Sequence, residues 1–483
     1  MADAMAMTAL GRIDGISEGC CAVFRGVPYA LPPTGERRFA PPAPVPAWTG
    51  TLVADRNSPI APQRPSRLDR VMGGFDVPAG EDCLTLTIWT PGCDTARRPV
   101  LVWLHGGAFV SGAGSLAWYD GGALAAAGDV VVVGVNYRLG ALGFLFRTGL
   151  IEENLGLLDQ VAALRWVHAH IAAFGGDPDA ITLGGQSAGA SSTTALLADP
   201  ATRPLIRRAI LQSGSFGRPP RTPAQADDFA DRFMAKLGID PDAPDRMARL
   251  RTAAVDAILD VQHALMAETG DLVFRPVARH GETTAADLVA RATEATAGVT
   301  VLAGITSGEG YAYFGGLDVT IAQAEAAIGA EPGGAEALRR LRARLPGADG
   351  VTLMSEHRSD TGFTLGFIAL AQGIAETGGR CFGYVFDWHP PGSPFRACHC
   401  IELPFTLGNR PLWGESPMLA GGDAAEIAGL SAVMVRAWTS FIRTGTPTLG
   451  PDLPPWPAMT ADRPDALVLG RRLALRSLRS DLP

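Results

Sequence analysis

The stretch ITLGGQSAG, residues 181–189, decides the fold that the sequence predicts. It contains the pattern G-x-S-x-G, directly after a short strand pattern and directly before a helical pattern at residues 188–198. A sharp turn from strand to helix holds its serine in a strained conformation, with the hydroxyl at the carboxyl edge of a sheet and near the positive end of a helix dipole. The pattern therefore predicts Ser187 as a nucleophile; an ordinary turn rich in glycine and serine is the alternative.

The regions around this turn predict an α/β fold. Residues 99–104 (PVLVWL) and 130–135 (VVVVGV) are continuous apolar runs, typical of strands buried on both faces of a parallel sheet. Residues 85–90 (TLTIWT) alternate polar and apolar side chains, which predicts a strand with one solvated face. Residues 157–174 follow the 3.6-residue period of a helix. Such an alternation indicates a mostly parallel central sheet flanked by helices.

The remaining organisation of the chain predicts a cover over this sheet. Residues 217–298 and 317–378 have largely helical patterns, and we expect these helical cover segments to lie over the substrate side. The first 60 residues are rich in proline and glycine, which predicts mostly irregular structure. No internal repeat or low-complexity linker interrupts the sequence, so we expect residues 1–483 to form one domain.

The composition excludes several classes of protein. Of the 483 residues, 47% are hydrophobic and 19% are charged, a balance that supplies a large core and excludes a disordered or fibrous chain. The net charge is −8 and no basic stripe is present, so nucleic acid is not an expected partner. No run of apolar residues reaches the length of a membrane-spanning helix, so no membrane span is expected.

The amino-terminal residues and the cysteines predict a cytoplasmic protein without a metal. The start MADAMAMTALGRIDG lacks the basic segment and the long apolar run of a secretory signal. Seven cysteines, an odd number, indicate free and mostly buried thiols in a reducing compartment. The run CHC at residues 398–400 could suggest a metal site, but alternate residues of an extended segment point to opposite sides.

An oxyanion hole is predicted from a second glycine-rich stretch. HGGAF, residues 105–109, follows the predicted strand 99–104. Glycines there let backbone N–H groups approach a developing negative oxygen, although a simple strand-to-loop turn is the alternative. Together with the serine pattern, this order predicts the N–H groups of Gly107, Ala108 and Ala188 as the donors.

A serine nucleophile in this type of fold requires a histidine that follows it in the chain. His389 and His399 both follow a predicted strand at residues 381–386. Spacing favours His399, which lies in an apolar run, over His389, which precedes a turn. The other histidines after the serine are His263 and His280, which precede the best acid candidate, and His357, which we expect at the surface.

The acid is expected just past the predicted strand at residues 299–305. Glu309 is the first carboxylate there, and Asp318 is the next. Glu309 stands between two glycines, so a plain turn residue is the alternative. Its place in the order favours a role in orienting the imidazole and stabilising the imidazolium.

These motifs resemble the type-B carboxylesterases, the α/β-hydrolase branch that includes bacterial p-nitrobenzyl esterases and the cholinesterases. The resemblance covers nearly the whole chain. The matching runs are FRGVPYA (24–30), RF (38–39), EDCL (81–84), NYRLG (136–140), GF (143–144), NLGLLDQ (154–160), LRW (164–166), FGGDP (174–178), QSG (212–214) and ELPF (402–405).

The resemblance implies the α/β-hydrolase fold and a serine carboxylesterase that cleaves small-molecule esters through an acyl-enzyme, with no metal or organic cofactor. It settles the histidine as His399 and assigns the triad Ser187, Glu309 and His399. An amidase, carbamate hydrolase or transacylase would use the same triad, and a non-catalytic scaffold relative is a remote alternative. No oligomeric state is predicted. We expect three further residues around the triad: Gln186, Ser213 and Glu402. Five aromatic residues would suit the substrate pocket and the core equally well: Phe109, Phe216, Tyr311, Tyr313 and Phe314.

Two positions depart from the family pattern. Relatives usually have glutamate before the nucleophile, where this chain has Gln186. Because a nearby anion favours the imidazolium, we expect a lower histidine pKa here than in relatives with glutamate. Cys83 matches a cysteine that is disulfide-bonded in secreted members, but residues 57–65 do not contain its partner.

Overall fold

The computed structural model describes residues 4–151, 153–270, 274–278 and 281–478. Its strands are β1 (Met5–Thr8), β2 (Gly11–Asp14), β3 (Ile16–Glu18), β4 (Cys21–Pro28), β5 (Thr51–Val53), β6 (Thr85–Thr90), β7 (Arg98–Leu104), β8 (Val131–Val135), β9 (Gly176–Gln186), β10 (Arg208–Gln212), β11 (Thr300–Thr306), β12 (Arg380–Phe386), β13 (Asp465–Leu469) and β14 (Ala474–Ser477).

The α-helices lie between and after these strands. They are α1 (Asp69–Met72), α2 (Gly122–Gly128), α3 (Gly140–Phe144), α4 (Leu155–His170), α5 (Ala188–Leu197), α6 (Pro223–Lys236), α7 (Arg246–Thr252), α8 (Val255–Thr269), α9 (Ala285–Ala295), α10 (Tyr311–Phe314), α11 (Ile321–Gly329), α12 (Gly334–Arg344), α13 (Gly350–Ser359), α14 (Leu365–Glu376), α15 (Leu403–Thr406) and α16 (Ala424–Thr444).

The central sheet has the strand order β14-β13-β12-β11-β10-β9-β7-β8-β6-β4-β3. Strands from β13 across to β8 run parallel to their neighbours, whereas the pairs at the two edges are antiparallel. This mixed, mostly parallel sheet confirms the predicted fold class. Among the residues that the structure describes, no helix combines the length and the apolar character needed to cross a membrane.

Helices cover both faces of the sheet because its central strands are apolar on both sides. In β7, Val100, Val102 and Leu104 join one core cluster, and the alternate residues Leu101 and Trp103 join another. Helices α4 and α14 supply side chains to the first cluster, and α16 supplies side chains to the second. The continuous apolar runs therefore correspond to strands buried between two helical layers.

Strand β6 corrects one expectation. All six of its residues are buried, so the predicted solvated face is wrong. The polar side chains of this strand are paired inside the protein: Thr85 hydrogen-bonds Ser58 at 2.6 Å, and Thr90 donates to the Phe174 carbonyl at 2.8 Å. The amino-terminal 60 residues also contain more strand than predicted, because β1, β2 and β5 form a small separate sheet.

The parallel register brings several loops together at one edge of the sheet. Carboxyl ends of neighbouring parallel strands are aligned, as in the pairs Gln186–Gln212 and Thr306–Phe386. Ligands bind outside the carboxyl ends of strands in open α/β sheets. The loops after β7, β9, β11 and β12 carry the oxyanion, serine, acid and histidine candidates respectively.

Candidate active site

Ser187 lies at the turn between β9 and α5. Its backbone has φ 57° and ψ −120°, a conformation that residues with a side chain rarely adopt. Its N–H donates to the carbonyl of Gln212 in β10 at 2.8 Å, which fixes the turn against the sheet. A Cβ on Gly189 would overlap the carbonyl oxygen of Leu104, and one on Gly185 would lie 2.5 Å from the backbone of Gly189. Only glycine at both positions lets helix and strand approach this closely.

The structure brings the three predicted triad residues together. The Oγ of Ser187 lies 2.8 Å from Nε2 of His399, and Nδ1 of His399 lies 2.5 Å from the carboxylate of Glu309. His399 and Glu309 are fully buried, and Ser187 is 8% exposed. Because a carboxylate can only accept, the ring carries its proton on Nδ1 and Nε2 accepts the serine hydroxyl.

The acid is held by its own loop. The second carboxylate oxygen of Glu309 accepts the N–H of Thr306, the last residue of β11, at 2.8 Å. The backbone carbonyl of Glu309 also accepts the N–H of His399 at 3.4 Å. The carboxylate therefore has one oxygen fixed by the strand and the other directed at the imidazole.

The imidazole of His399 has a raised pKa. Burial by itself lowers the pKa of His399, but Cys400, Tyr313 and Glu309 raise it, and the result lies well above 6.5. Cys400 contributes most to the rise and Tyr313 follows; the Glu309 carboxylate, 2.5 Å from Nδ1, adds to it because it attracts the proton-bearing ring. A pKa raised in this way favours the protonated form of the ring.

Gln186 contacts the same ring nitrogen as the nucleophile. Its side-chain Nε2 lies 3.3 Å from Nε2 of His399 and 3.3 Å from Sγ of Cys400. The side chain is fully buried. A charge at this position would act directly on the imidazole. That Gln186 gives His399 a lower pKa than a glutamate would stays a prediction.

Ser213 and Glu402 are buried, and among the described residues neither side chain hydrogen-bonds a member of the predicted triad. The Ser213 N–H donates to the carbonyl of Gly304 at 2.8 Å, which ties the end of β10 to β11. Glu402 accepts a hydrogen bond from the Gln212 amide at 3.4 Å. Burial, with a smaller contribution from Glu309, raises the pKa of Glu402 to about 7.

The predicted oxyanion hole has free donors. Gly107 and Ala108 have φ of 116° and 57°, so the loop after β7 turns its backbone sharply. Ala188 is the first residue of α5, where N–H groups have no acceptor within the helix. Within the described part of the chain, no group accepts a hydrogen bond from the N–H of any of these three residues.

A cavity of about 400 Å³ opens onto Ser187, with Ala108 and Ala188 in its wall. Much of the wall is apolar and comes from α4, α5 and α9, so helices of the first cover segment contribute to it. Phe109 and Tyr313 line the cavity, whereas Phe216 and Tyr311 are buried in the core clusters. The charged side chains of the wall are Asp199, Glu282, Arg218, Arg275, Arg291 and Arg358.

The other candidates lie elsewhere. His389 follows β12, and its Nδ1 is 2.9 Å from the Pro390 carbonyl. Asp318 and His263 are exposed, and His280 lies outside the described residues. The expectation that His357 is a surface residue is wrong, because its ring is buried on α13, with Nε2 2.8 Å from Glu331.

Sequence reasoning missed two residues beside the triad. The ring of Phe363 lies 4.8 Å from the His399 ring, centre to centre, and Arg358 stacks on Phe363. Both belong to a predicted cover segment, in which loop and helix positions carry no motif. Only the three-dimensional packing shows that this segment reaches the triad.

The fold and this constellation define a serine hydrolase of the α/β-hydrolase class. A family model described as "Carboxylesterase family" matches residues 2–325 and 348–480, and the chain belongs to this family. The phenmedipham hydrolase of Pseudarthrobacter oxydans is 36% identical, with 96% of this chain and 95% of that protein covered.

Two further comparisons agree with the family. The para-nitrobenzyl esterase of Bacillus subtilis (strain 168) is 35% identical over 97% of this chain and 95% of that protein. The solved structure titled thermophylic PNB esterase superposes with a TM-score of 0.87 at 33% identity, covering 99% of both chains. The resemblance inferred from the sequence motifs is confirmed, and the protein is a carboxylic ester hydrolase.

Proposed function

We propose that Ser187, His399 and Glu309 hydrolyse carboxylic esters through an acyl-enzyme. His399 Nε2 takes the proton of the Ser187 hydroxyl while Oγ bonds to the ester carbonyl carbon. The carbonyl oxygen becomes negative. It accepts hydrogen bonds from the backbone N–H groups of the oxyanion hole, Gly107, Ala108 and Ala188. The imidazolium then gives its proton to the alkoxy oxygen, and the carbon–oxygen bond to the alcohol breaks.

Deacylation repeats these steps with water in place of serine. His399 takes a proton from water, whose oxygen bonds to the acyl carbon. The bond to Ser187 Oγ then breaks, Oγ recovers the proton from the imidazolium, and the carboxylic acid leaves. Glu309 keeps the imidazole oriented and stabilises its charge in both halves of the reaction.

The continuous hydrogen-bonded series from Ser187 through His399 to Glu309, at 2.8 and 2.5 Å, carries this proposal. The strained serine backbone and the free N–H groups support it, because they are the other parts that acyl transfer requires. Amides and carbamates would pass through the same steps. We propose esters because family membership and the relatives named above favour them.

Covalent labelling of Ser187 tests the proposal. An organophosphate is expected to add once per chain and to be found on Ser187 by mass spectrometry, with loss of p-nitrophenyl butyrate hydrolysis. Ser187→Ala is expected to abolish this hydrolysis while leaving the circular dichroism spectrum unchanged. A variant with activity within tenfold of the original protein would overturn the assignment.

We also propose that the enzyme works in the reducing environment of the cytoplasm. Cys83, Cys381 and Cys398 are free and buried, so their thiols are part of the folded core. The protein is isolated from cytoplasmic extract without reductant, unfolded, and treated with a thiol reagent. These three thiols are expected to react. Recovery of the native protein in a periplasmic or secreted fraction would contradict the location.

A further inference from the structure

Arg358 lies in the wall of the catalytic cavity, at the end of α13. Its guanidinium carbon is 5.2 Å from the centre of the Tyr313 ring and 5.7 Å from the centre of the Phe363 ring. These rings in turn lie 6.1 and 4.8 Å from the ring of His399. The cation is therefore separated from the catalytic imidazole by one aromatic layer.

The guanidinium of Arg358 has no anionic partner among the described residues. The acidic residues nearest to it in sequence, Glu356 and Asp360, both pair with Arg344, at 3.4 and 2.9 Å. By contrast, Arg291 in the same wall donates to the Ala198 carbonyl and lies 3.5 Å from Glu294. Without an anionic partner among the described residues, the half-buried guanidinium is available to a ligand that offers hydrogen-bond acceptors.

The segment that carries Arg358 is fixed against the triad. Residues Asp360–Thr364 form a π-helical turn between α13 and α14, and such turns occur frequently at functional sites. Phe363 in this turn is 1% exposed and packs against His399. The guanidinium also lies over two aromatic rings, and such cation–π contacts hold the side chain at this wall.

We propose that Arg358 selects esters that carry a carboxylate group besides the ester that is cleaved. The guanidinium matches a carboxylate with two parallel hydrogen bonds. The guanidinium carbon lies 5.7 Å from the centre of the Phe363 ring, which in turn lies 4.8 Å from the centre of the His399 ring. The guanidinium cannot be farther from the imidazole than these two distances combined, so a carboxylate a few bonds from the scissile ester reaches it. This inference rests on the proposed function and names its substrate class.

Matched ester pairs test the proposal. In the acyl arm, the p-nitrophenyl monoester of glutaric or adipic acid is compared with the neutral p-nitrophenyl hexanoate. In the alcohol arm, 4-carboxyphenyl butyrate is compared with 4-(methoxycarbonyl)phenyl butyrate, in which the free carboxyl group is methylated and therefore neutral. The measured quantity is the ratio of kcat/KM for the anionic ester to that for the neutral ester, for the original protein and for Arg358→Met.

We expect Arg358→Met to lower this ratio by about 10- to 100-fold in one of the two arms, the range of a hydrogen-bonded charge pair. The arm that responds shows whether the carboxylate lies in the acid or in the alcohol part. Arg358→Lys is expected to retain part of the preference, and added salt is expected to reduce it in the original protein. Arg340→Met, which removes an exposed arginine, controls for the change in net charge.

A ratio that changes less than twofold in both arms on Arg358→Met would overturn the inference. Arg358→Met and Arg358→Lys could also lower the thermal midpoint without changing the ratio of kcat/KM values. That result would assign Arg358 a purely structural role and would overturn the inference. Continued hydrolysis of the neutral esters by all variants separates this failure from failure of the proposed function, which predicts their turnover in every case.

Discussion

Ser187 and His399 are 212 positions apart in the chain, yet Oγ of the serine lies 2.8 Å from Nε2 of the imidazole. Glu309 enters this pair through one oxygen only, since its other oxygen is held by Thr306. In the proposed mechanism the carboxylate is therefore positioned before substrate arrives, so proton transfer would need no reorganisation of this group. Its charge and its acceptor character both matter for the imidazole.

Glu309→Gln is expected to lower kcat by about 10⁴-fold, because an amide loses the charge and favours the wrong imidazole tautomer. Steady-state hydrolysis of p-nitrophenyl butyrate measures the effect. The substitution keeps the side-chain volume, so the thermal midpoint should change little. A kcat within tenfold of the original value would show that Glu309 is not the orienting acid.

Gln186→Glu is expected to move the acidic limb of the pH–rate profile to higher pH. The new carboxylate would lie beside Nε2 of His399, where it favours the imidazolium and raises the pKa of the ring. Because the base must be neutral to act, activity would then be lost at a higher pH as the pH falls. Gln186→Met, which adds no charge, should leave the limb nearly in place. An unchanged limb in Gln186→Glu would refute the expectation.

At the scale of elements, the site depends on how closely α5 approaches β7 and β9. Gly189 on α5 leaves no room for a Cβ next to Leu104 of β7. Gly189→Ala is expected to destabilise the protein by about 1–3 kcal/mol and to lower activity, because the displaced helix moves Ala188 and Ser187. Urea unfolding and ester hydrolysis measure both effects.

The control for that substitution is a glycine with open space around it. Gly429 lies exposed in α16, and a Cβ there would meet no atom within 4 Å. Gly429→Ala is expected to stabilise the protein by about 0.5–1 kcal/mol, because alanine loses less backbone entropy in a helix. Equal effects of the two substitutions would mean that the contact with Leu104 does not determine the cost.

The sequence predicts those elements that are determined by residues close together in the chain. The apolar run at residues 99–104 and the glycine pattern around Ser187 correspond to β7 and to the observed serine turn. Periodicity could not predict that β6 is buried on both faces, because Ser58 and Phe174, which pair with its threonines, come from distant segments. The same holds for His357, which is buried and pairs with Glu331 from the turn between α11 and α12.

At the scale of the whole molecule, the site is assembled by strand order. The neighbours of β9 are β7 and β10, and β11 and β12 follow, so four loops from different parts of the chain meet at one edge. This arrangement also buries polar groups behind the triad, including Glu402 and Gln212. A carboxyl group in such a place links the stability of the fold to pH.

Glu402 is expected to make the protein less stable as the pH rises. Its folded-state pKa of about 7 lies above the ordinary value of 4.5, so the folded protein binds this proton more tightly than the unfolded chain. The resulting stability is fully present below 4.5 and is lost as the pH rises through about 7. Between about pH 5 and 8 this loss amounts to about 2–3 kcal/mol.

Glu402→Gln removes the titration and keeps the side-chain shape. The variant's free energy of unfolding should therefore fall by about 2–3 kcal/mol less than that of the original protein over the same pH interval. Glu415→Gln, which changes an exposed carboxylate, controls for the lost negative charge and should follow the original protein. Parallel pH profiles for Glu402→Gln and the original protein would mean that Glu402 binds its proton equally in both states. In that case the buried polar groups behind the triad would not couple folding to pH.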